Sequence, residues 1–157
     1  MVKPVSRSKI VTSKLLAGLF NIVVFNIVTM VLSIAFVGKY ANGEQITDDI
    51  VILMMGMFVL QLVFLSIGTG ISAASRNPKS APTAATVVLL VSFVLSSAIS
   101  MDSRLDGLKY ITPFKYFEGE NILNDGIQPV YIILSSVIIG VMICVTYVFY
   151  KKRDLKV

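Results

Sequence analysis

Four long stretches without a charged residue limit what this chain can fold into. They contain no Asp, Glu, Lys or Arg, and they are Leu15–Gly38, Ile50–Ser75, Ser80–Met101 and Ile127–Tyr150. Each has 22 to 26 residues, and roughly 20 helical residues span a hydrocarbon core of about 30 Å. A strand of a membrane barrel needs only about 9 to 11 residues and alternates in polarity. The pattern therefore predicts an all-α, polytopic membrane protein with four transmembrane helices in one domain over residues 1–157.

The composition excludes a soluble domain. Of the 157 residues, 55% are hydrophobic and only 15% are charged, which leaves too few polar side chains to cover a water-facing surface. A basic start followed by an apolar run also resembles a signal peptide. The first run is about twice as long as the apolar part of a signal peptide, so we expect it to remain as a helix.

The basic residues are divided unevenly between the two sides that four spans create. Ten of the 14 lie before the first span, between the second and third, or after the fourth, and they are Lys3, Arg7, Lys9, Lys14, Arg76, Lys79, Lys151, Lys152, Arg153 and Lys156. The other side holds four basic residues and eight of the nine acidic ones. The positive-inside rule places the basic side, with both termini, in the cytoplasm. Topology explains the net charge of +5, and no nucleic-acid partner is expected.

Several kinds of chemistry lack the residues they need. The chain has no His, and its one cysteine, Cys144, lies in the last apolar stretch, so we expect no His-ligated metal and no disulfide. No phosphate-binding loop of the GxxxxGK[ST] type is present. The spans contain no carboxylate or basic residue, which disfavours proton or sodium coupling. We predict no catalytic residue, no metal site, no cofactor and no enzymatic activity.

Each span carries small or polar residues on one face. These are Asn26, Thr29 and Ser33 in the first, Ser66, Gly70 and Ala74 in the second, Ser92, Ser96 and Ser100 in the third, and Ser136, Gly140 and Cys144 in the fourth. Small residues at this spacing let helices approach closely, and polar groups in lipid need partners. Helix packing explains these faces, and lining of a substrate pathway is the alternative.

The segment before the first span is basic and contains Pro4. Proline is tolerated at a helix start, and Ser6 can act as an N-cap. We predict a short cytoplasmic interfacial segment that leads into the first span. A frayed, positively charged tail is the alternative.

The loop between the third and fourth spans, residues 102–126, is long and rich in aromatic residues. Its centre contains Pro113, Phe114, Tyr116 and Phe117, and a proline can begin a short helix. Aromatic side chains suit the headgroup layer of a bilayer. An interfacial or shallow re-entrant element on the outer side is predicted, with an ordinary aromatic belt as the alternative.

Three stretches resemble the permeases of type-2 ATP-binding-cassette (ABC) exporters. Pro4-Val-Ser-Arg7 followed by Lys14-Leu-Leu-Ala17 resembles the P-[IV]-S-R…K segment before the third span of that family. Ile111–Phe117 resembles the aromatic element between its last two spans, and Lys151–Leu155 resembles its common basic ending. Their order and sidedness match the predicted topology. Such permeases typically have six spans, so this sequence resembles the C-terminal two thirds of one.

The resemblance implies a function and partners. It implies a membrane-spanning permease of an ABC exporter in the cell membrane, which forms the translocation pathway with a second permease copy or half. Separate ATPase subunits would drive it, and Pro4, Val5, Ser6, Arg7 and Lys9 would form the segment that couples to them. The alternatives are a four-helix structural or accessory membrane protein without transport activity, and a small secondary exporter, which the lack of intramembrane charge disfavours.

Overall fold

The structure, a computed structural model, describes residues 6–40, 45–75, 79–101 and 103–152. Helices cover 92% of the described residues, and none of them lies in a strand. The elements are α1 (Arg7–Tyr40), α2 (Gln45–Ala74), α3 (Ala81–Met101), the 3-10 helix η1 (Ser103–Tyr110), α4 (Pro113–Tyr116), α5 (Gly119–Asp125) and α6 (Pro129–Lys152). Four of these, α1, α2, α3 and α6, are long and apolar enough to cross a membrane. The prediction of an all-α membrane protein with four spanning helices is confirmed.

Helix α1 begins well before its apolar stretch. The carbonyl of Ser6 accepts hydrogen bonds from the amides of Lys9 (2.9 Å) and Ile10 (3.4 Å), and no Gly or Pro interrupts residues 7–17. The described part of the N-terminal segment is therefore a direct extension of α1 and not a separate helix. With 34 residues, α1 is about 51 Å long, which exceeds the thickness of a hydrocarbon core.

Helix α2 lies at the centre of the fold. It packs most extensively against α6, and it also contacts α1, α3, α4 and α5. Leu53, in the first half of α2, shares a core cluster with Leu134 in the first half of α6, whereas Gly70 and Met142 meet in the second halves. The two helices are therefore parallel. Helix α1 runs the opposite way, since Thr12 near its start hydrogen-bonds Tyr147 near the end of α6.

The bundle has two distinct ends. We call the end where α1 begins and where α2 and α6 finish the basic end. The opposite end, which carries η1, α4 and α5, is called the loop end. The helices approach one another closely at glycines, because a β-carbon would lie 2.7 Å from Leu65 at Gly18 and 2.7 Å from Ile122 at Gly56.

The outer surface of the bundle is apolar. Large side chains on α1 and α3 are exposed, among them Phe20, Phe36 and Val94 at 64 to 68% of their surface. Exposed apolar area on this scale marks a surface that contacts a membrane or another protein. Lipid tails can cover this apolar surface without a cost in free energy, so membrane contact alone explains it. The polar groups inside the bundle are therefore the candidates for function.

Candidate functional site

Residues 112–125, which we call the aromatic element, are packed into the loop end. Thr112 is 1% exposed, and Pro113, Tyr116 and Phe117 are buried as well. Phe117 and Tyr116 belong to a core cluster with Ile122 and with apolar side chains of α2 and α6. The predicted aromatic loop is thus part of the protein interior.

The sequence explains the two tight changes of direction in this element. Thr112 is extended (φ −104°, ψ 105°), as the residue before a proline usually is, and Pro113 then starts α4. Helix α5 ends at Gly126, whose φ of 73° suits glycine because it has no β-carbon. The amide of Gly126 donates to the carbonyl of Ile122 at 2.9 Å and closes the last turn.

Phe114 shows how deeply the element enters the bundle. Its ring lies 4.9 Å from the ring of Phe64 on α2 and 5.6 Å from that of Phe93 on α3, the latter edge to face. Such aromatic pairs are stabilising at these distances. Phe93 precedes Met101, the last residue of α3, by eight residues, which is about 12 Å of helix. The side chain of Phe114 therefore packs between α2 and α3, at a depth of about 12 Å from the end of α3.

Tyr116 fixes the element to α6. Its ring stacks on that of Tyr131, with centroids 5.1 Å apart and an angle of 8° between the planes. The Tyr116 hydroxyl donates to the backbone carbonyl of Tyr110. Burial, and then the nearby Tyr131, raise the pKa of Tyr116 above its ordinary value of 10.0. This phenol stays neutral at physiological pH and acts as a hydrogen-bond donor.

A polar network connects the aromatic element to the end of α3. Lys115 and Glu118 form an ion pair, and the Ser100 hydroxyl donates to Glu118 Oε1 at 2.9 Å while it accepts from Lys115 Nζ at 3.0 Å. Asn121 Nδ2 donates to Glu118 Oε2 at 2.9 Å. Ser100 was predicted to pack against another helix, but its actual partners, Lys115 and Glu118, gave no recognisable sequence signal.

Glu118 remains ionised in this network. Desolvation by burial raises its pKa, but hydrogen bonds from Lys115 and Ser100, the charge of Lys115 and a hydrogen bond from Asn121 outweigh burial. The net effect is a pKa below the ordinary value of 4.5. The carboxylate is therefore an acceptor that holds three neighbouring side chains in place.

Asn26 meets a partner that the sequence analysis did not single out. Its Nδ2 donates to Gln61 Oε1 on α2 and to the Ile22 carbonyl at 3.0 Å. The signal for Gln61 was available, because an amide within an apolar span needs a partner. Thr29 and Ser33, predicted to share its face, are only half-buried.

Asn26 also borders a groove near the loop end. The groove has a volume of about 400 Å³, and its walls come from α1, α2, residue Ile127 and the start of α6. Three methionines, Met30, Met54 and Met55, line it beside Asn26. Methionine side chains are flexible and polarisable, so such a surface adapts to ligands of different shapes.

The other predicted packing residues occupy different parts of the bundle. Ser66 is buried and its hydroxyl donates to the Val63 carbonyl at 2.7 Å. At Gly70 a β-carbon would lie 2.6 Å from Met142 Cε, so the absence of a side chain lets α2 and α6 approach. On α3, Ser96 is buried and Ser92 is half-buried.

The small residues of α6 face away from α2. Ser136, Gly140 and Cys144 are exposed, and a β-carbon built on Gly140 would have no described residue of another helix within 4 Å. Helix α6 instead packs with a neighbouring face that includes the buried Ser135 and Thr146. The four-residue spacing in the sequence identifies a face of small residues on α6. It does not show whether that face contacts α2 or lies on the surface.

The predicted coupling segment lies at the start of α1. Pro4 and Val5 are outside the described residues, as is the side chain of Arg7. The backbone of Arg7 begins α1, and Ser6 and Lys9 are exposed beside it. The described part of the segment therefore lies on a rigid helix at the surface of the basic end.

The chain was compared with known proteins. A family model described as ABC-2 family transporter protein matches residues 1–155. Comparisons with curated proteins and with solved structures found no match. Among the described residues, no group of three or more His, Cys, Asp or Glu side chains could hold a metal ion.

Proposed function

The chain belongs to the ABC-2 family of transporter proteins, and we propose that it is the permease of an exporter that is driven by separate ATPase subunits. Membership shows a multi-pass membrane component of an ABC transporter, as the resemblance in the sequence indicated. The observation that carries the proposal is the extent of the family match, which covers all four spanning helices.

In this proposal the permease lies in the cell membrane with its basic end in the cytoplasm. The support is the excess of Lys and Arg at that end. The ATPase subunit then contacts Ser6, Arg7 and Lys9, together with Pro4 and Val5. The aromatic element lies on the outer side.

The length of α1 suggests how motion of an ATPase reaches the interior. Asn26 lies nineteen positions after Arg7 in this one continuous helix, which is a distance of about 28 Å along the helix axis. The contact of Gly18 with Leu65 holds α1 close to α2 between these two points. A tilt of α1 driven from Arg7 therefore changes the width of the groove beside Asn26. The groove is open on one side, and in this proposal a second permease copy completes the pathway there.

The test uses the tagged chain purified from its native membrane together with its ATPase subunits. In Arg7→Lys the charge that orients the helix is kept, but the planar fork that can bind a carboxylate in two places is lost. We expect normal membrane insertion and at least a fivefold loss of copurified, ATP-hydrolysing subunit. Lys39→Arg, at the other end of α1, is the control and should retain the subunit.

Two results would contradict the proposal. If no ABC ATPase copurifies with the parent chain, the protein is not the permease of such a complex. If the ATPase copurifies equally with Arg7→Lys, and Ser6→Ala also behaves like the parent, the segment at the start of α1 does not couple the two subunits.

A further inference from the structure

A polar cleft opens at the basic end between α1, α2 and α6. It has a volume of about 50 Å³, and its polar lining includes Lys14, Thr69, Ser72 and Tyr150. A volume of this size exceeds what one water molecule requires. The cleft is therefore large enough for a small polar group such as a phosphate.

The cleft offers hydrogen-bond donors that have no partner among the described residues. Thr69 donates its hydroxyl to the carbonyls of Leu65 and Ser66 in its own helix. In the described part of the chain, by contrast, no hydrogen bond or ion pair engages the side chains of Lys14, Ser72 or Tyr150. An ammonium and two hydroxyl groups at one cleft are suited to an anionic oxygen-rich group.

An apolar cavity lies directly below this cleft. It has a volume of about 200 Å³ and is bordered by the same three helices, with Leu16, Leu62, Leu65 and Ile139 among its lining residues. Leu15 lines both spaces. The first residue of α2 that lines the cleft is Thr69, and the first that lines the cavity is Leu62. The cavity therefore lies about 10 Å nearer the middle of the bundle than the cleft.

We propose that the cleft and the cavity together form a binding site for one anionic phospholipid. The phosphate of the lipid lies at Lys14 and Ser72, and one acyl chain enters the cavity between α1 and α6. A soluble phosphate compound could use the cleft but would leave the apolar cavity empty. Basic pockets between spanning helices bind anionic head groups for the same electrostatic reason.

The position of the site supports a lipid over a soluble ligand. Lys14 is the last charged residue before the first apolar stretch, so it lies at the depth of the lipid head groups. Thr12 Oγ1 and the Tyr147 hydroxyl are 2.8 Å apart and join α1 to α6 at this level. The bound lipid therefore packs against the part of α1 that leads to Arg7.

The experiment measures lipid retention on the full chain in detergent by native mass spectrometry. The protein is incubated with equal amounts of phosphatidylglycerol and phosphatidylcholine that carry the same acyl chains. The parent should retain phosphatidylglycerol preferentially. In Lys14→Gln we expect this preference to fall about fivefold, the effect of one Lys near an anionic lipid. Lys39→Gln removes a charge at the opposite end of α1 and should keep the preference.

A second pair of variants tests the acyl-chain cavity. Ile139→Phe fills it and should lower the retention of both lipids, whereas Ile133→Phe places the same ring on the exposed face of α6 and should not. Glycerol phosphate should not compete with the lipid. An unchanged preference of Lys14→Gln for phosphatidylglycerol would overturn the proposal. Competition by glycerol phosphate would also overturn it, because it would indicate a site for a soluble phosphate. If Ile139→Phe does not fold, Lys14→Gln still decides.

Discussion

The two ends of the bundle are built in different ways. At the loop end, Phe114 wedges α2 against α3, Tyr116 stacks on α6, and Glu118 bonds to Lys115 and Ser100. At the basic end, one hydrogen bond between Thr12 and Tyr147 joins α1 to α6 in the described residues. Lys14, Ser72 and Tyr150 line a cleft nearby and have no side-chain partner among the described residues.

This difference indicates which end is built to interact with partners. At the loop end, Lys115, Glu118, Ser100 and Asn121 are partners of one another, so this network is closed by the protein's own side chains. At the basic end, Lys14, Ser72 and Tyr150 have no partner among the described residues, and in our proposals this end binds an ATPase subunit and a phospholipid. If this comparison is correct, substitutions of the aromatic and polar side chains at the loop end should mainly lower stability, and substitutions of the polar side chains at the basic end should mainly lower binding.

The largest effect on stability is expected from Phe114→Ala. It removes the ring that contacts both Phe64 and Phe93, and we expect a loss of about 3 kcal/mol, the lower part of the range for such a substitution. The measurement is reversible unfolding in mixed micelles of increasing SDS, followed by circular dichroism. Phe36→Ala, at an exposed position of α1, is the control. Equal losses for the two variants would mean that Phe114 faces lipid.

A smaller loss is expected from Gly70→Leu, at the close contact of α2 and α6. Even a β-carbon there would lie 2.6 Å from Met142 Cε and 3.6 Å from the Met142 backbone oxygen. Overpacking of this kind costs about 1–3 kcal/mol. Gly140→Leu adds the same side chain where a β-carbon would have no described residue of another helix within 4 Å, and it should unfold like the parent in the same titration. If Gly70→Leu were as stable as the parent, α2 and α6 would not be in close contact at Gly70.

The smallest effect should come from Glu118→Gln, because its ion pair is partly exposed and such pairs contribute less than about 1 kcal/mol. The folded-state pKa of Glu118 lies below 4.5. Its contribution is therefore present above that pH and is lost as the pH falls through the lowered pKa. The parent should lose stability over this acidic range relative to Glu118→Gln, with the exposed Glu120→Gln as control. Parallel pH profiles of parent and Glu118→Gln would contradict the network.

Much of the fold was predictable from the sequence. The uncharged stretches predict four spanning helices because a bilayer excludes charge over a known thickness. The helical start of α1 at Arg7 is less evident, because its polar residues suit both a helix and a basic tail.

The site was less predictable, because it depends on contacts between distant residues. The aromatic loop was recognised, but the depth of Phe114 depends on Phe64 and Phe93, which are unremarkable in the sequence. Similarly, the spacing of Ser136, Gly140 and Cys144 matches that of Ser66 and Gly70. Only the three-dimensional structure distinguishes a stripe that contacts a helix from one on the surface.

The most direct test of this account is the sidedness of the two ends in intact cells. Single cysteines at Gly107 and Asp125 mark the loop end, and those at Ser6 and Ser80 mark the basic end, all in a Cys144→Ser background. A membrane-impermeant thiol reagent should label the loop-end cysteines from outside, and the basic-end cysteines only after the membrane is permeabilised. The account would be contradicted if the reagent labelled Ser6→Cys and Ser80→Cys from outside and did not label the loop-end cysteines. That result would place the basic end on the side of the membrane away from any cytoplasmic ATPase.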